Sequence, residues 1–222
     1  MLKYSLGENI EAFTTDRNVG RNIPGVIYPH QVHTDRIFAI TSDFLSLPEH
    51  ERKEALEGID AIVSDVRNVV MGISTADCIP VIVYDSAHHV AAAIHAGWKG
   101  TRLRIVTKAI KEMQCLYGTE PSDCKAAIGP GISQESFEVG QEVVDAFDEA
   151  GFDMSRYVVM KAKPHIDLKA INLDLLTAAG LLAENVFVSD IDTFTDENYF
   201  SARREQKGTV KCGRILSGFC LK

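Results

Sequence analysis

The sequence predicts an α+β fold. Four apolar runs of strand length follow one another between residues 59 and 94, with no helical segment between them. These runs are continuously apolar rather than alternating, which is typical of strands buried on both faces. Helical repeats of apolar residues come later in the chain. Neighbouring strands followed by scattered helices favour α+β over regular βαβ alternation.

The first predicted elements are a short helix and a group of strands. Ser46-Leu47-Pro48-Glu49 resembles a capping box and predicts a short charged helix. Asp85-Ser86-Ala87-His88 is expected to connect two strands as a hairpin. Pro80 has no N–H to donate, so it should lie at a strand start or on an edge strand. The strands are expected at residues 59–64, 69–73, 79–84 and 90–94.

Three helices and a last strand complete the predicted elements. The apolar residues that indicate the first of these helices recur at helical spacing, and Gly118 follows as a typical stop signal. The helices are expected at residues 103–117, 143–151 and 168–182, and the last strand at residues 215–220.

Composition and charge limit the possible functions. The chain has 222 residues and suits one domain spanning residues 1–222. Its net charge of -8 argues against nucleic acid or an anionic membrane as the main partner. It has no apolar run long enough to cross a bilayer and no signal-peptide core at its start, so we expect a cytoplasmic protein.

The cysteines do not indicate a disulfide framework, because they are five in number and form no C-x-x-C pair. Four of them, Cys115, Cys124, Cys212 and Cys220, are expected to be buried free thiols.

The fifth cysteine belongs to the candidate metal site, which comprises His33, Cys78 and His95. Each follows or ends an apolar run, and two imidazoles with one thiolate are a ligand set for zinc with a fourth position left to water. Zinc would lower the pKa of that water to about 7. On a strand, His30 and His33 would face opposite sides, so His33 is favoured. Copper is the competing metal, since His₂Cys ligation also describes blue-copper centres.

Other polar segments could complete the site. Asp77 could orient a ligand imidazole, or it could cap a turn. The glycine-rich segment from Ala96 to Thr101 precedes a predicted helix and carries Lys99, so it could bind an anion. Arg203 and Arg204 could bind phosphate bidentately, although adjacent arginines are more often a solvated face.

These residues together resemble a known family, catalogued as multicopper polyphenol oxidoreductase or laccase-domain proteins and associated with zinc-dependent purine nucleoside phosphorylase and adenosine deaminase activity. The match runs in order over most of residues 11–222. It is carried by His30-Gln31-Val32-His33, Gly58-x-Asp60-Ala61, Thr75-Ala76-Asp77-Cys78-x-Pro80-Val81, His95-Ala96-Gly97-Trp98-Lys99-Gly100-Thr101, Ile128-Gly129-Pro130-Gly131-Ile132, Phe137-Glu138-Val139-Gly140, Phe200-Ser201-x-Arg203-Arg204 and Gly213-Arg214.

The resemblance implies a fold and a chemistry. The fold would be mixed β-sheets packed as a sandwich with flanking helices, similar to bacterial Cys-His deamidase toxins. His33, Cys78 and His95 would hold zinc, where a purine nucleoside and inorganic phosphate would meet. The expected reactions are phosphorolysis of adenosine, inosine, guanosine or methylthioadenosine and hydrolytic deamination of adenosine. The candidate phosphate ligands are Arg17, Lys99, Arg203 and Arg204, and the candidate acids are Asp77 and Glu138.

The chain also departs from the family pattern. Thr34 stands where glycine is common after the first motif, and Asp192 stands where a Cys-Thr pair is common. Between Gly20 and His30 the chain is short, because Asn18-Val19-Gly20-Arg21-Asn22-Ile23-Pro24 leads almost directly into the first motif. The longer segment usually contributes to the pocket.

Three other functions stay open at this point. A metal-free Cys-His hydrolase or deamidase would use Cys78 as nucleophile and His95 as base. A copper-dependent polyphenol oxidoreductase is a second alternative, but seven histidines are few for a multicopper enzyme. The third is a non-catalytic binding protein with an impaired pocket, which would be stabilised by ligand without turnover.

Overall fold

A computed structural model describes residues 1–208 and 213–222. The strands within these ranges are β1 (Leu2–Tyr4), β2 (Ile10–Thr14), β3 (Ile37–Ile40), β4 (Ala61–Ser64), β5 (Met71–Thr75), β6 (Ile79–Asp85), β7 (Val90–Ala96), β8 (Cys124–Ile128), β9 (Val158–Met160), β10 (Pro164–Ile166), β11 (Val186–Val188) and β12 (Ile215–Leu221). The α-helices are α1 (Ser42–Ser46), α2 (Glu49–Ala55), α3 (Trp98–Arg102), α4 (Ile105–Tyr117), α5 (Gln141–Glu149), α6 (Leu168–Ala178) and α7 (Ala202–Gln206).

A mixed six-stranded sheet forms the centre of the fold, in the order β11-β8-β6-β7-β4-β3. Its inner strands pair antiparallel, whereas β3 pairs parallel with β4 and β11 pairs parallel with β8. A second sheet has the order β1-β2-β12-β5 and is antiparallel, and β9 and β10 form a separate antiparallel pair.

The six-stranded sheet is buried on both faces. Successive side chains of a strand point to opposite faces. Val81 and Val83 accordingly join the core under α4, α5 and α6, while Ile82 joins the core shared with Ile73 and Phe219 of the second sheet. Two sheets with helices on the outer face of one of them confirm the predicted α+β class and the sandwich that the resemblance implied.

Several predicted elements are confirmed. The connection at residues 85–88 is a hairpin between β6 and β7, and Pro80 lies at the start of β6. Helix α4 ends at Tyr117, where Gly118 takes a left-handed φ of 73° and donates its N–H to the carbonyl of Gln114. Glycine adopts this backbone without the steric cost that a Cβ would add.

Other predictions at the ends of elements were wrong. The expected capping box is absent because α2 begins after Pro48, whose side chain cannot accept a hydrogen bond, while Ser46 ends α1. Helix α6 ends at Ala178, well before the predicted Leu182, which is 44% exposed. The segment around His30 and His33 is irregular instead of a strand.

Only part of the expectation for the cysteines is met. Cys124 is a buried free thiol, but Cys115 is exposed and Cys220 is half-buried. Cys212 lies outside the described residues. No helix in the described ranges combines the length and the apolar composition that crossing a membrane requires.

Strand ends from both sheets meet at one edge of the fold. Thr75 at the end of β5 pairs with Ile215 at the start of β12, and Pro80 at the start of β6 pairs with His95 at the end of β7. The N–H of Thr15, directly after β2, donates to the carbonyl of Leu216 at 2.8 Å. The chain segments beyond these ends therefore lie side by side.

Candidate metal centre

His33, Cys78 and His95 converge at this edge. One ligand atom from each lies within 4.8 Å of the others, and among the described residues no other such group of histidine, cysteine and acidic side chains forms. The Cys78 Sγ lies 3.8 Å from the His33 Nε2, and the two imidazole rings meet edge to face with centroids 4.8 Å apart.

The spacing of these atoms fits a tetrahedral metal ion. Zinc binds sulfur at about 2.3 Å and imidazole nitrogen at about 2.0–2.1 Å, which separates tetrahedral donors by about 3.5 Å. The observed separations between ligand atoms, which reach at most 4.8 Å, are somewhat longer than this value. Small movements of the three side chains would bring the donors to the tetrahedral distance. Three protein donors are the number found in catalytic zinc sites, so His33, Cys78 and His95 would hold the ion and leave one position to a substrate or water.

The three ligands come from different environments. His95 ends β7 and is 4% exposed, whereas Cys78 lies half-buried in the turn from β5 to β6. His33 is exposed on an irregular loop and takes a left-handed φ of 65°. Such a backbone is uncommon for a residue other than glycine, so the surrounding structure must hold the His33 loop in place.

Asp60 supplies that restraint. Its carboxylate accepts hydrogen bonds from the backbone N–H groups of Val32, His33 and Thr34 at 3.2, 3.0 and 2.8 Å. The same carboxylate accepts the Nδ1–H of His95 at 2.7 Å. With Nδ1 engaged, His95 turns its Nε2 towards the cluster, as metal-ligating histidines commonly do.

Sequence reasoning missed this role of Asp60, although the residue lies in a matched motif. One signal was available. Asp60 interrupts the apolar run from Ile59 to Ile62 and is fully buried, and a buried carboxylate requires several hydrogen-bond donors.

The cluster shifts the pKa values of its members. Burial raises the pKa of the Cys78 thiol, but the charge of His95 and the hydrogen bond from His33 outweigh burial and bring it to about 6. Burial lowers the pKa of His95, yet the Cys78 thiolate and Asp60 raise it to about 9. Burial also opposes ionisation of Asp60, while its bonds from His95 and Thr34 bring its pKa to about 2. The thiolate that a metal needs is therefore favoured at neutral pH.

Gly97 allows the ligands to approach one another. A Cβ at this position would lie 2.9 Å from the Cys78 Sγ and 3.1 Å from the His33 Cδ2. The first distance is shorter than a Cβ contact allows and the second is tight, so a side chain at this position would displace the Cys78 sulfur from its observed position.

Asp77 does not contact the imidazoles, which corrects the expectation that it orients one of them. Its carboxylate accepts hydrogen bonds from the hydroxyls of Thr193 and Ser201 at 2.7 and 2.9 Å and from the N–H of Arg203 at 2.7 Å. Asp77 itself takes a left-handed φ of 81°. It therefore fastens the Cys78 turn to two distant segments, and the orienting carboxylate is Asp60.

A cavity of about 600 Å³ opens beside the cluster. Its polar wall includes Gln31, whose amide is fixed by three hydrogen bonds to Ser74. The residues that line the cavity are Arg21, Pro29, His30, Gln31, His33, Ser74, Thr75, Ala76, Cys78, His95, Ala202, Gln206, Gly213 and Arg214.

The residues that the sequence suggested as nucleoside or phosphate ligands, Arg17, Lys99, Glu138, Arg203 and Arg204, are not in this lining. Two of them lie against aromatic rings. The Arg17 guanidinium lies 5.1 Å from the centroid of Phe200, and the Lys99 Nζ lies 5.7 Å from the centroid of Trp98. These cations are therefore directed to neighbouring rings.

The other three are held by the protein itself. Arg203 donates to the backbone carbonyl of Glu138 at 2.9 Å, and the Glu138 carboxylate pairs with Lys163 at 3.2 Å. Arg204 donates to the carbonyl oxygens of Asp196 and Tyr199. The paired arginines thus fasten loops to one another, a role that their side-chain type alone does not reveal.

Both single-residue departures from the family pattern have structural roles. The Thr34 hydroxyl donates to the Asp60 carboxylate at 2.8 Å and so adds a bond to the group that holds the His33 loop. Asp192 accepts hydrogen bonds from the hydroxyls of Ser133 and Ser136 at 2.8 and 2.5 Å. It connects the segment before α7 to the glycine-rich segment after β8.

The fold and the Cys-His cluster define a protein with a three-donor site that could hold a metal ion, at the edge of two packed sheets. The chain belongs to the multi-copper polyphenol oxidoreductase laccase family, whose model matches residues 5–222. The described residues bring together a single three-donor cluster, so the family name does not predict the number of metal ions here.

Curated relatives carry names of purine enzymes. The chain is 38% identical over 213 residues to adenosine deaminase RL5 from an unknown prokaryotic organism, covering 94% of this chain and 80% of the relative. It is 42% identical over 200 residues to a purine nucleoside phosphorylase of Bacteroides thetaiotaomicron, covering 88% of this chain and 73% of the relative.

Solved structures share the fold. The hypothetical protein YfiH of Bacillus licheniformis superposes with a TM-score of 0.82 at 25% identity, covering 96% of this chain and 93% of that one. YlmD of Geobacillus stearothermophilus gives a TM-score of 0.77 at 27% identity, covering 89% and 74% of the two chains.

Proposed function

We propose that this chain is a zinc-dependent purine nucleoside phosphorylase that also deaminates adenosine. The observation that carries the proposal is the convergence of His33, Cys78 and His95 beside a cavity of about 600 Å³. A cavity of this size lies within the range of about 300–1,000 Å³ found for small-molecule sites. The names of the relatives give purine nucleosides as the substrate class. Adenosine, inosine, guanosine and methylthioadenosine are the candidates that the family resemblance implies.

The chain's own residues prepare the site in two ways. The buried Asp60 orients His95 and fixes the His33 loop, so both imidazoles are positioned before a ligand arrives. The low pKa of Cys78 keeps a thiolate available for the ion at neutral pH. When bound, zinc would supply Lewis acidity in the cavity.

The donor set suits zinc better than it suits the copper ion of a blue-copper centre. Such a centre adds a weak axial ligand, often methionine, to two histidines and a cysteine. Met71, the methionine nearest to the cluster in sequence, packs in the core between the two sheets. We therefore propose zinc as the resident metal and copper as the alternative to be tested.

One geometric feature supports a second candidate function. Cys78, His95 and Asp60 form a chain of thiolate, imidazole and carboxylate, with the thiol pKa at about 6 and the His95–Asp60 bond at 2.7 Å. A nucleophile, a base and an orienting group in this order are the elements of covalent hydrolases and deamidases. That function would need no metal.

A turnover assay tests the proposal. Zinc-loaded protein incubated with inosine and inorganic phosphate is expected to release hypoxanthine and ribose 1-phosphate, and with adenosine it is expected to form inosine. Both products are measured by liquid chromatography. Removal of zinc by a chelator should abolish both reactions, and added zinc should restore them.

The possible outcomes separate the candidates. Loss of phosphorolysis with intact deamination would remove the phosphorylase half of the proposal. Activity that persists in fully metal-free protein would favour the Cys78 nucleophile. No turnover of any of the four nucleosides, together with thermal stabilisation by them, would identify a binding protein.

A further inference from the structure

A second cavity, of about 610 Å³, lies next to the cavity of the metal cluster. His30 lines both cavities. The two are also joined by a ring contact, since the guanidinium of Arg21, in the first cavity, lies 5.3 Å from the ring centroid of Tyr28, in the second. We call the second cavity the α2 groove, because half of its lining comes from helix α2 and the two residues that follow. The lining residues are Gly25, Val26, Ile27, Tyr28, His30, Glu49, Arg52, Lys53, Leu56 and Glu57.

Backbone hydrogen bonds hold the loop that forms one wall of the α2 groove. The carbonyl of Ile27 accepts the N–H of Gly72 in β5 at 3.0 Å. Three residues later, the N–H of His30 donates to the carbonyl of Leu56 at 3.1 Å, and the carbonyl of His30 accepts the N–H of Gly58 at 2.9 Å. The wall is therefore fastened to β5 at one end and to the end of α2 at the other, so the groove is formed before a ligand arrives.

The charged groups of the α2 groove are paired with one exception. The Glu57 carboxylate lies 2.5 Å from the His30 Nδ1, and the Glu49 carboxylate lies 2.6 Å from the Lys53 Nζ. Arg52 acts on Glu49 only through longer-range charge. Within the described part of the chain its side chain has no hydrogen bond or ion pair, and its Nε is buried without a partner. Buried N–H groups normally have an acceptor, so Arg52 is the group here that calls for an anionic ligand.

The surface between His30 and Arg52 is apolar. Leu56, which bonds to His30, also donates its N–H to the carbonyl of Arg52 at 3.2 Å, so Arg52 lies one helical turn further along α2. One turn of an α-helix rises about 5.4 Å. Val26 and Ile27 line the same groove. A ligand group that enters past His30 would therefore cross apolar side chains over about one turn and end at the Arg52 guanidinium.

The chemistry of a purine nucleoside leaves one atom from which such a group can extend. Deamination takes place at C6 of the base and phosphorolysis at C1′ of the ribose, so the 5′ carbon is the end of the ribose that neither reaction changes. An α-amino acid joined to this carbon through a thioether adds five single bonds of about 1.5 Å, which extend over about 6 Å. This length matches the apolar surface between His30 and Arg52.

We propose that the α2 groove binds a 5′ substituent of this kind, and that Arg52 is the ligand of its carboxylate. The substrates would then include purine nucleosides with a thioether-linked α-amino acid at the 5′ carbon. Arg52 suits a carboxylate because a guanidinium bonds it with two parallel N–H groups. The carboxylates of Glu49 and Glu57 keep acceptor capacity for the ammonium group of the same tail. The inference rests on the proposed function for the nucleoside part of the ligand, and the tail itself does not react.

Two nucleosides with 5′ tails of similar length test the role of Arg52. S-adenosylhomocysteine carries the amino acid, and 5′-deoxy-5′-butylthioadenosine carries an apolar tail. Both are titrated calorimetrically into zinc-loaded wild-type protein and into the Arg52→Gln variant. Loss of the charge-assisted bonds is expected to weaken binding of S-adenosylhomocysteine, relative to the butylthio compound, by about tenfold or more.

Two further variants control for charge and for structure. Arg52→Lys keeps the positive charge and should restore part of the relative affinity. Arg67→Gln removes an exposed arginine that lines neither cavity and should leave the relative affinity at the wild-type value. Equal weakening of both nucleosides by Arg52→Gln would show that Arg52 only supports the fold, and it would overturn the inference.

Turnover measurements separate this inference from the proposed function. The wild type should convert S-adenosylhomocysteine with a kcat/KM at least equal to that for adenosine. Turnover of adenosine without turnover or binding of S-adenosylhomocysteine would leave the proposed function standing and overturn the role of the groove. Binding of S-adenosylhomocysteine that depends on Arg52, in a protein that converts no nucleoside, would support the groove and contradict the proposed function.

A nucleotide tests whether the groove selects the tail or only its charge. In adenosine 5′-monophosphate the anion is attached directly to the 5′ oxygen, with no apolar linker to cross the groove. Its affinity should therefore not depend on Arg52. If Arg52→Gln weakens binding of adenosine 5′-monophosphate and leaves S-adenosylhomocysteine unaffected, Arg52 recognises a nucleotide and the assignment to an amino-acid tail is overturned.

Discussion

Replacing His33 with alanine is expected to remove the metal and the enzymatic activity together. His33 supplies one of the three donors, and its side chain lies on an exposed loop rather than in the core. Changes to residues that only support metal ligands commonly reduce metal affinity or activity by about 10–100-fold. Loss of a ligand itself should therefore lower kcat/KM by about 10³-fold or more. Metal content and inosine phosphorolysis are measured on the same preparation.

His30 provides the matched control for this experiment. It lies three residues earlier, is exposed and lines the same cavity, but its Nδ1 pairs with Glu57 at 2.5 Å and it is not part of the cluster. His30→Ala is therefore expected to retain the metal. A His33→Ala protein that keeps full metal content and full activity would show that His33 is not a ligand.

Replacing Asp60 with asparagine is expected to weaken metal binding and destabilise the fold at once. An amide cannot accept all five hydrogen bonds, because its NH₂ group would face other donors. Metal affinity should fall by about 10–100-fold. The free energy of unfolding should fall by about 3 kcal/mol, which corresponds to a Tm lower by about 6–12 °C. Competition with a zinc chelator and thermal unfolding measure the two effects.

Asp85 provides the control that separates a specific role of Asp60 in the metal site from the general effect of changing a buried aspartate. It is also fully buried and accepts a hydrogen bond from a histidine, His88, at 2.8 Å, but it lies at the opposite end of β6 from the cluster. Asp85→Asn should lower the Tm and leave metal affinity unchanged. Equal losses of metal affinity in the two variants would contradict the specific role of Asp60.

The hydrogen bonds to the Asp60 carboxylate also predict how the stability of the fold depends on pH. The folded-state pKa of Asp60 is depressed to about 2, below the value of about 3.9 for an unperturbed aspartate. Its stabilisation is therefore present above about pH 4 and is lost as the pH falls towards 2. The Asp60→Asn protein should lose less stability over that interval than the wild type.

The fold was largely predictable because burial on both faces leaves a clear signal. Strands β6 and β7 are apolar over most of their length, with Asp85 at the far end of β6 and His95 near the end of β7, and Cys78 directly precedes β6. Cys78 and His95 could be found for that reason, since polar residues at the end of a buried strand need a partner or a ligand. Sequence patterns predicted the ends of elements less well. The residues around Pro48 suggested a capping box, but Pro48 itself occupies the N-cap position of α2 and has no side-chain acceptor.

The rest of the site depends on contacts between segments that are distant along the chain. The left-handed backbone of His33 is imposed by Asp60, and no local pattern encodes it. Arg203 has a long side chain that could have reached solvent, a ligand or a backbone carbonyl, and its type does not decide among them. Arg21 and Arg214 are far apart along the chain and yet line one cavity.

Metal analysis of the wild-type protein tests the central claim most directly. The protein is purified without a metal-affinity tag, and its metal content is determined by inductively coupled plasma mass spectrometry. We predict about one zinc ion per chain, released by a chelator and absent from the His33→Ala variant. Protein that contains no metal and takes up none when zinc is supplied would contradict the account, because His33, Cys78 and His95 would then not form a metal site.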